Sequence, residues 1–303
     1  MIRIFGTIFA GLLGLAFGSF LNVCLSRWPE GESVVEPRSH CRNCDHTLAW
    51  WENVPLVSWL VLRGRCRECG AWIGWRYPLV EAAVGGLWAV PAWRLLGVVF
   101  EPEFPPDQSF FHFSIYNDLA IAVGLAAFYW LLIGLAVLDA ENLWLPNSLT
   151  FPGIALGVVF YVVYHGHGSR YMDRVSESAL NATIDTTFSS VGSALLAAGL
   201  IQLIRWVYML VRKQEGMGLG DAKLMAMLAA WLGLPGALLA FFLGAVLGSI
   251  AGVVLLAVPA ARRGSGSWGT SKLPFGTFLC IGGIASSLWG QSILAAYMRW
   301  AGF

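Results

Sequence analysis

Long apolar stretches divide the chain and limit what it can fold into. A helix needs about 20 residues to cross the roughly 30 Å hydrocarbon core of a bilayer. Seven candidate stretches lie at residues 4–26, 80–100, 119–138, 149–164, 186–204, 224–261 and 273–298. The sixth is 38 residues long, and Gly-Leu-Pro-Gly at 233–236 is a turn signal that predicts two spans there. The sequence therefore predicts an all-α polytopic membrane protein with about eight transmembrane helices.

Two of these stretches need a separate argument. The second carries Glu81 near one end and Arg94 near the other, and Pro91 predicts a kink within it. The first could be a signal peptide, but it is longer than a signal h-region and no small-residue cleavage site precedes Arg27. We therefore expect residues 1–26 to remain as the first span.

The few charged residues exclude some classes of protein and predict an orientation. Only 12% of the residues are charged, about half the usual share, which excludes a soluble globular or a disordered chain. The net charge of +1 gives no basic patch, so we expect no nucleic-acid partner. Alternate loops hold 14 and 4 Lys and Arg residues, and the richer set includes the loop after the first span. That bias predicts that the richer set is cytoplasmic and that both termini are outside.

Four cysteines in the loop after the first span have the spacing of a metal site. Cys41 and Cys44 form one Cys-x2-Cys pair, and Cys66 and Cys69 form a second, 21 residues further on. Each pair can direct both sulfurs at one ion, and four thiolates complete a closed tetrahedral zinc site that is structural. The alternative of two disulfides does not suit a cytoplasmic loop. We expect a zinc clip to stabilise this segment, which is too small to bury a core of its own.

Two aspartates lie at the predicted cytoplasmic ends of spans. Asp139 ends the third span, and Asp221 begins the sixth, after glycines at 216, 218 and 220. Asp221 alone could be a helix N-cap, and Asp139 could be a solvated interfacial residue, although a helix C-terminus disfavours a carboxylate. Together they suggest an acid–base pair that hydrolyses peptides, since two close carboxylates cannot both ionise easily. The glycines would let the backbone approach an extended substrate or adopt positive φ.

Nearly the whole chain resembles the type IV prepilin peptidases, bifunctional leader peptidases and N-methyltransferases of the GxGD aspartyl protease group. The resemblance rests on the two cysteine pairs, Arg27, Pro29 and residues 18–23, 37–39, 76–81, 139–152, 216–224 and 273–276. Thr277 departs from it, because members often have proline there. It implies that Asp139 and Asp221 cut the leader of prepilins and pseudopilins of type IV pilus or type II secretion systems. It also implies methylation of the new N-terminal amine with S-adenosylmethionine, by a multi-pass protein of the bacterial inner membrane.

The methyltransferase residues are less evident from the sequence. No Gly-x-Gly-x-x-Gly after a strand suggests a Rossmann site, so we expect the cofactor to bind where the zinc-clipped segment meets spans 1 and 2. Glu81 is the candidate to contact the substrate amine or the cofactor sulfonium, or else it forms a salt bridge with Arg76 or Lys223. Lys223 either orients the Asp221 region or binds an anionic membrane lipid. Gly218 and Gly220 are candidates to contact substrate, and Asn22 is expected to bond across helices.

The predicted organisation has three parts: a first helix at 1–26, a cytoplasmic zinc-binding domain at 27–78 and a membrane-embedded aspartyl protease domain at 79–303. Two other functions would use the same features. A proton-coupled transporter could use the aspartates and the interrupted sixth stretch, but it should place its carboxylates near the bilayer midplane. A scaffolding subunit of the pilus machinery would use zinc only as a clip.

Overall fold

The computed structural model describes residues 1–100, 108–172, 176–213, 218–257 and 273–302, and these are helical with connecting segments and two isolated β-bridges. The α-helices are α1 (Ile2–Arg27), α2 (Val57–Val61), α3 (Arg76–Phe100), α4 (Gln108–Asn142), α5 (Asn147–Met172), α6 (Ser176–Arg212), α7 (Leu219–Ala257) and α8 (Phe275–Ala301). Gly216 and three basic residues counted for the orientation, Arg262, Arg263 and Lys272, lie outside the described residues. The all-α class expected from the sequence is confirmed.

Seven helices within the described part of the chain are long and apolar enough to cross a membrane. They are Ile2–Glu30, Arg76–Gly97, Asp118–Asn142, Asn147–His165, Thr183–Arg212, Leu219–Leu255 and Phe275–Ala301. The sixth has 37 residues and breaks at Gly233, whose φ of 70° and ψ of 174° lie in a region that essentially only glycine adopts. The expected turn is therefore present, and the prediction of about eight spans counted the two halves separately. Helix α3 continues through Pro91.

The chain divides into two compact units, Met1–Gly134 and Leu135–Phe303. In the first unit, α1 packs closely along α3 because glycines face α3. A Cβ atom on Gly14 would lie 2.9 Å from the Cα of Gly85, and one on Gly18 would lie 2.7 Å from the Cα of Glu81. Small residues allow such backbone approach between membrane helices. Asn22 Nδ2 donates to the Tyr77 carbonyl at 3.0 Å, which confirms the expected bond across helices.

The segment between α1 and α3 has little regular structure. Its longest helix is α2, and three tryptophan rings, Trp59, Trp72 and Trp75, pack together with centroids 4.5–6.0 Å apart. The buried Glu52 carboxylate accepts hydrogen bonds from the Ala49 N–H at 2.7 Å and from His46 at 3.1 Å. Both hydrogen bonds lower the pKa of Glu52, and the bond from the Ala49 N–H has the larger effect. This segment therefore depends on side-chain clusters more than on secondary structure.

In the second unit, α7 packs against α5, α6 and α8. The backbones of α7 and α8 approach so closely that a Cβ atom on Gly282 would collide with the Ala240 carbonyl. Near the break in α7, Ser190 Oγ donates to the Ala230 carbonyl at 3.1 Å, and Ser286 Oγ donates to the Gly236 carbonyl at 2.8 Å. Hydroxyl groups of neighbouring helices thus satisfy backbone carbonyls at the break, as irregular backbone at membrane depth requires.

Candidate functional site

Asp139, near the end of α4, lies against the first turn of α8. Its Oδ2 accepts the Thr277 N–H at 2.7 Å, and the Thr277 hydroxyl lies 3.3 Å from the same oxygen. The first N–H groups of a helix have no partner within it and favour an anion. Asp139 is only 6% exposed, so burial disfavours the alternative of a solvated interfacial residue. The N-terminus of α8 compensates for the unfavourable position of this carboxylate at the end of α4.

Asp221 lies in the first turn of α7 and is 8% exposed. Its Oδ2 accepts the Gly218 N–H at 3.1 Å, so the side chain reaches back over the start of the helix. An acidic residue at the third helical position often bonds the N-cap N–H in this way. Asp221 therefore helps to begin α7, but from inside the helix rather than as the N-cap.

The two aspartates of the second unit are brought together. Their carboxyl groups are close enough to interact electrostatically. The fully buried Cys280 thiol on α8 is within electrostatic range of both. The Leu145 side chain packs against the backbone beside both aspartates. A Cβ atom on Gly220 would lie 3.0 Å from Leu145 Cδ1, and a Cβ atom on Gly276 would lie 3.1 Å from the same atom. Helices α4, α7 and α8 thus contribute to one buried acidic pair.

The glycines before Asp221 make close packing possible. Neither Gly218 nor Gly220 has positive φ, so the left-handed backbone considered from the sequence is not present at these two positions. Gly220 instead leaves room for Leu145, and Gly218 supplies the N–H that bonds Asp221. The value of glycine here is the absence of a side chain between backbone and neighbours.

Lys223, one turn into α7, contacts the start of α5. Its Nζ donates to Asn147 Oδ1 at 2.6 Å and lies 5.8 Å from the centre of the Phe151 ring. These contacts tie α7 to α5 beside Asp221. They suit the expected orienting function of Lys223.

The four cysteines of the first unit converge on one point. Their sulfur atoms all lie within 4.8 Å of one another, and the Cys41–Cys69 and Cys44–Cys66 pairs are 3.8 and 3.9 Å apart. A tetrahedral zinc ion with bonds of about 2.3 Å needs sulfur–sulfur separations of about 3.8 Å. The thiols are free of disulfides, so the donor set and its spacing fit a closed zinc site.

The two cysteine pairs fold into equivalent turns. The Cys41 N–H donates to the His46 carbonyl, and the Cys66 N–H donates to the Ala71 carbonyl. The fifth residue of each turn has positive φ, 56° at Asp45 and 67° at Gly70. Gly70, directly after Cys69, adopts this conformation without the steric cost that a side chain would add.

One thiol is prepared to lose its proton. Two hydrogen bonds to its sulfur lower the pKa of Cys69 to about 6. The bond from the Ala71 backbone N–H has the larger effect, and the bond from the Asn43 amide, at 3.5 Å, has the smaller. Zinc binds thiolates, and hydrogen bonds to the sulfur orient such ligands.

The first unit also contains a cavity of about 450 Å³ between α1 and the extramembrane segment. Ser19, Phe20 and Arg27 of α1 line one wall, and residues from the stretches 34–39 and 48–55 line the other. The side chain of Glu81 is buried next to Ser19 of the α1 wall. It accepts hydrogen bonds from the Leu56 N–H at 2.8 Å and from the Ser19 side chain. These two hydrogen bonds, rather than an ion pair with Arg76, are its contacts within the described part of the first unit.

Comparison with known proteins agrees with this geometry. Residues 126–253 match the type IV leader peptidase family, and residues 12–95 match the bacterial peptidase A24 N-terminal domain. Proteins named prepilin leader peptidase/N-methyltransferase are 32% identical in Stutzerimonas stutzeri and 33% in Pseudomonas aeruginosa, each over 96% of this chain and 93% of the relative. The chain belongs to the type IV leader peptidase family. One in Myxococcus xanthus is 34% identical over 90% of this chain and 70% of its own length. No solved structure matches significantly.

Three residues of the acidic site in this family member were not predicted from the sequence. In the sequence, Thr277 stands out only as a departure from proline, and Gly276 and Leu145 lie within longer motifs. Their importance arises from contacts between α8, the α4–α5 connection and the aspartates. The motif at 273–276 was the available signal, because it lies where the unpaired N–H groups of a helix would begin.

Proposed function

We propose that this chain removes the leader from prepilins and pseudopilins by peptide-bond hydrolysis at Asp139 and Asp221, and then methylates the new N-terminal amine. Membership of the type IV leader peptidase family supports an intramembrane aspartyl endopeptidase. The observation that carries the proposal is the pair of buried carboxyl groups, one from the end of α4 and one from the start of α7, within electrostatic range of each other.

Hydrolysis at such a pair needs one aspartate to be ionised while the other keeps its proton. The ionised aspartate takes a proton from a water molecule as the water oxygen attacks the scissile carbonyl carbon. The protonated aspartate donates a hydrogen bond to the carbonyl oxygen, and the leaving nitrogen is protonated as the C–N bond breaks. The N–H groups of Thr277 and Gly218 hold the two carboxyl groups in place. No covalent intermediate with the enzyme is needed.

Residues beside the pair would position the substrate. Gly218 leaves the backbone before Asp221 without a side chain, so an extended leader can lie close to it, while Gly220 keeps that backbone packed against Leu145. Lys223 holds the start of α7 against α5 through Asn147, which keeps Asp221 in register. We assign these three residues to orientation of substrate and carboxylate.

Methyl transfer is assigned to the first unit. S-adenosylmethionine, when bound, supplies an electrophilic methyl group to the amine. Cys41, Cys44, Cys66 and Cys69 would hold a structural zinc ion that fixes the loops around the cavity. Glu81 is a buried carboxylate that bonds Ser19 of the cavity wall, and it would attract the substrate amine or the positive charge of the cofactor.

The chain is a multi-pass membrane protein with seven helices capable of spanning among its described residues. We assign it to the bacterial inner membrane, with Asp139, Asp221 and the zinc-binding segment on the cytoplasmic side. The excess of Lys and Arg in one set of loops supports this orientation. Its substrates would then belong to a type IV pilus or a type II secretion system. The relatives give no support to the transporter alternative.

The test is a reaction of purified full-length protein in detergent with a prepilin, followed by intact mass spectrometry. The expected product lacks the leader, and it gains the mass of one methyl group only when S-adenosylmethionine is present. An uncut prepilin after long incubation would overturn the peptidase assignment. A cut product that never gains a methyl group would overturn the methyltransferase assignment alone.

A further inference from the structure

The cavity of the first unit is lined by motif residues that are not part of the acidic pair. Its lining includes Ser19, Phe20 and Arg27 from α1 and Pro37, Arg38 and Ser39 from the following loop. All six belong to segments by which the chain resembles its family, yet none lies near Asp139 or Asp221 in sequence. The volume of about 450 Å³ falls in the range of pockets that bind small molecules, roughly 300–1,000 Å³.

The walls of this cavity are fixed by buried polar groups. Arg27 is 5% exposed, and its guanidinium donates to the Ser33 carbonyl at 2.8 Å and the Pro37 carbonyl at 2.6 Å. On the opposite loop, the Ala49 N–H is held by the Glu52 carboxylate. Both loops are therefore anchored, so hydrogen bonds within the protein hold the walls of the cavity.

One cation on the wall is available to an anionic ligand. Arg38 is exposed, and none of the hydrogen bonds or ion pairs found among the described residues uses its guanidinium. Arg42, by comparison, is paired with Glu30 at 2.8 Å. A guanidinium without a partner matches a carboxylate in a bidentate arrangement.

Two exposed aromatic rings complete the lining. Trp50 is 80% exposed and Phe20 is 47% exposed, although both border the cavity. Neither ring takes part in the aromatic contacts found among the described residues, unlike the packed Trp59, Trp72 and Trp75. Flat aromatic faces stack on a purine, and they attract a cationic centre such as a sulfonium.

We infer that this cavity binds S-adenosylmethionine, with the carboxylate of its methionine part on Arg38 and its adenine against Trp50. Phe20 and Ser19 then border the sulfonium, and Glu81 behind Ser19 supplies the complementary negative charge. The assignment rests on the proposed methyltransferase function and gives it a place and residues. Arg27 is a positioning residue, because its donors are occupied by the loop.

The test measures equilibrium binding of radiolabelled S-adenosylmethionine to the purified full-length protein, apart from catalysis. We expect Arg38→Ala and Trp50→Ala each to weaken binding about 10- to 100-fold, because a charge-assisted hydrogen bond or a stacking surface is lost. Arg38→Lys keeps the charge without the fork and should be intermediate. Arg65→Ala, which removes an exposed arginine of the same segment outside the cavity, is the matched control. All four variants should still remove the leader.

The possible results distinguish a failure of the cavity assignment from a failure of the methyltransferase function. Wild-type affinity in both Arg38→Ala and Trp50→Ala, with methylation intact, would overturn the cavity assignment and leave the proposed function standing. Normal cofactor binding with weakened binding of a cleaved pilin peptide would also overturn it, because the cavity would then hold the substrate N-terminus. A wild-type protein that neither binds the cofactor nor methylates would overturn the assignment and the methyltransferase function together.

Discussion

A Cβ atom on Gly276 would lie 2.9 Å from Oδ2 of Asp139, closer than real Cβ atoms approach such a neighbour. Helix α8 can therefore present its first N–H groups to this carboxylate only because residue 276 has no side chain. The relationship joins a C-terminal motif to the first aspartate in a way that neither segment reveals alone.

Gly276→Ala should therefore slow leader removal while the protein still folds. The added methyl group would displace Asp139, and a misplacement of about 1 Å costs on the order of 100-fold in rate. Gly199→Ala is the matched control, since a Cβ atom there meets nothing within 4 Å. Initial rates on a prepilin check this, and equal rates for the two variants would contradict the close contact.

A second substitution tests the link through Leu145. Gly220→Ala should also slow leader removal, because its Cβ atom would lie 3.0 Å from Leu145 Cδ1. Leu145→Ala in the same chain should restore part of the rate by leaving room for the displaced backbone. A double-mutant cycle measures this coupling. If the two losses simply add, Leu145 does not occupy the space that Gly220 leaves.

The membrane spans and the cluster of four cysteines could be predicted because the signals for both are local. Run length fixes what can cross a bilayer, and the glycine and proline at 233 and 235 mark the break in α7. The spacing of two Cys-x2-Cys pairs likewise brings four sulfurs to one point.

What the sequence did not predict depends on contacts between distant segments. Thr277 bonds Asp139 across 138 positions, and Arg27 anchors a loop that borders the cavity. Asp139 was expected to be disfavoured at a helix C-terminus, and only the fold reveals that it lies at another helix's N-terminus. Helix propensity and spacing carry no information about which helix end meets which.

Zinc content can be tested separately from proteolysis. Cys66→Ser should lose the bound metal and methyl transfer, because three thiolates do not complete the tetrahedral site that fixes the loops. Cys24→Ser is the control, since this thiol is buried in α1 and outside the cluster. Elemental analysis should find one zinc ion per chain in the control. Full zinc occupancy and normal methylation in Cys66→Ser would refute the metal clip.

The contact between α5 and α7 gives a further prediction. Lys223→Ala and Asn147→Ala should reduce the rate of leader removal by similar, modest factors, because either change breaks the same 2.6 Å hydrogen bond. The double variant should be no worse than the more severe single one. Additive losses would indicate that Lys223 contacts substrate or lipid directly instead of orienting Asp221.

The most direct test of the acidic pair compares Asp139→Asn and Asp221→Asn separately in a leader-removal assay with purified protein. Asparagine keeps the size of each side chain but can neither accept the water proton nor donate as an acid. Each variant should lose at least about 100-fold in rate, with its zinc content and S-adenosylmethionine binding unchanged. Cleavage at the wild-type rate by either variant would show that the two carboxyl groups are not a catalytic pair.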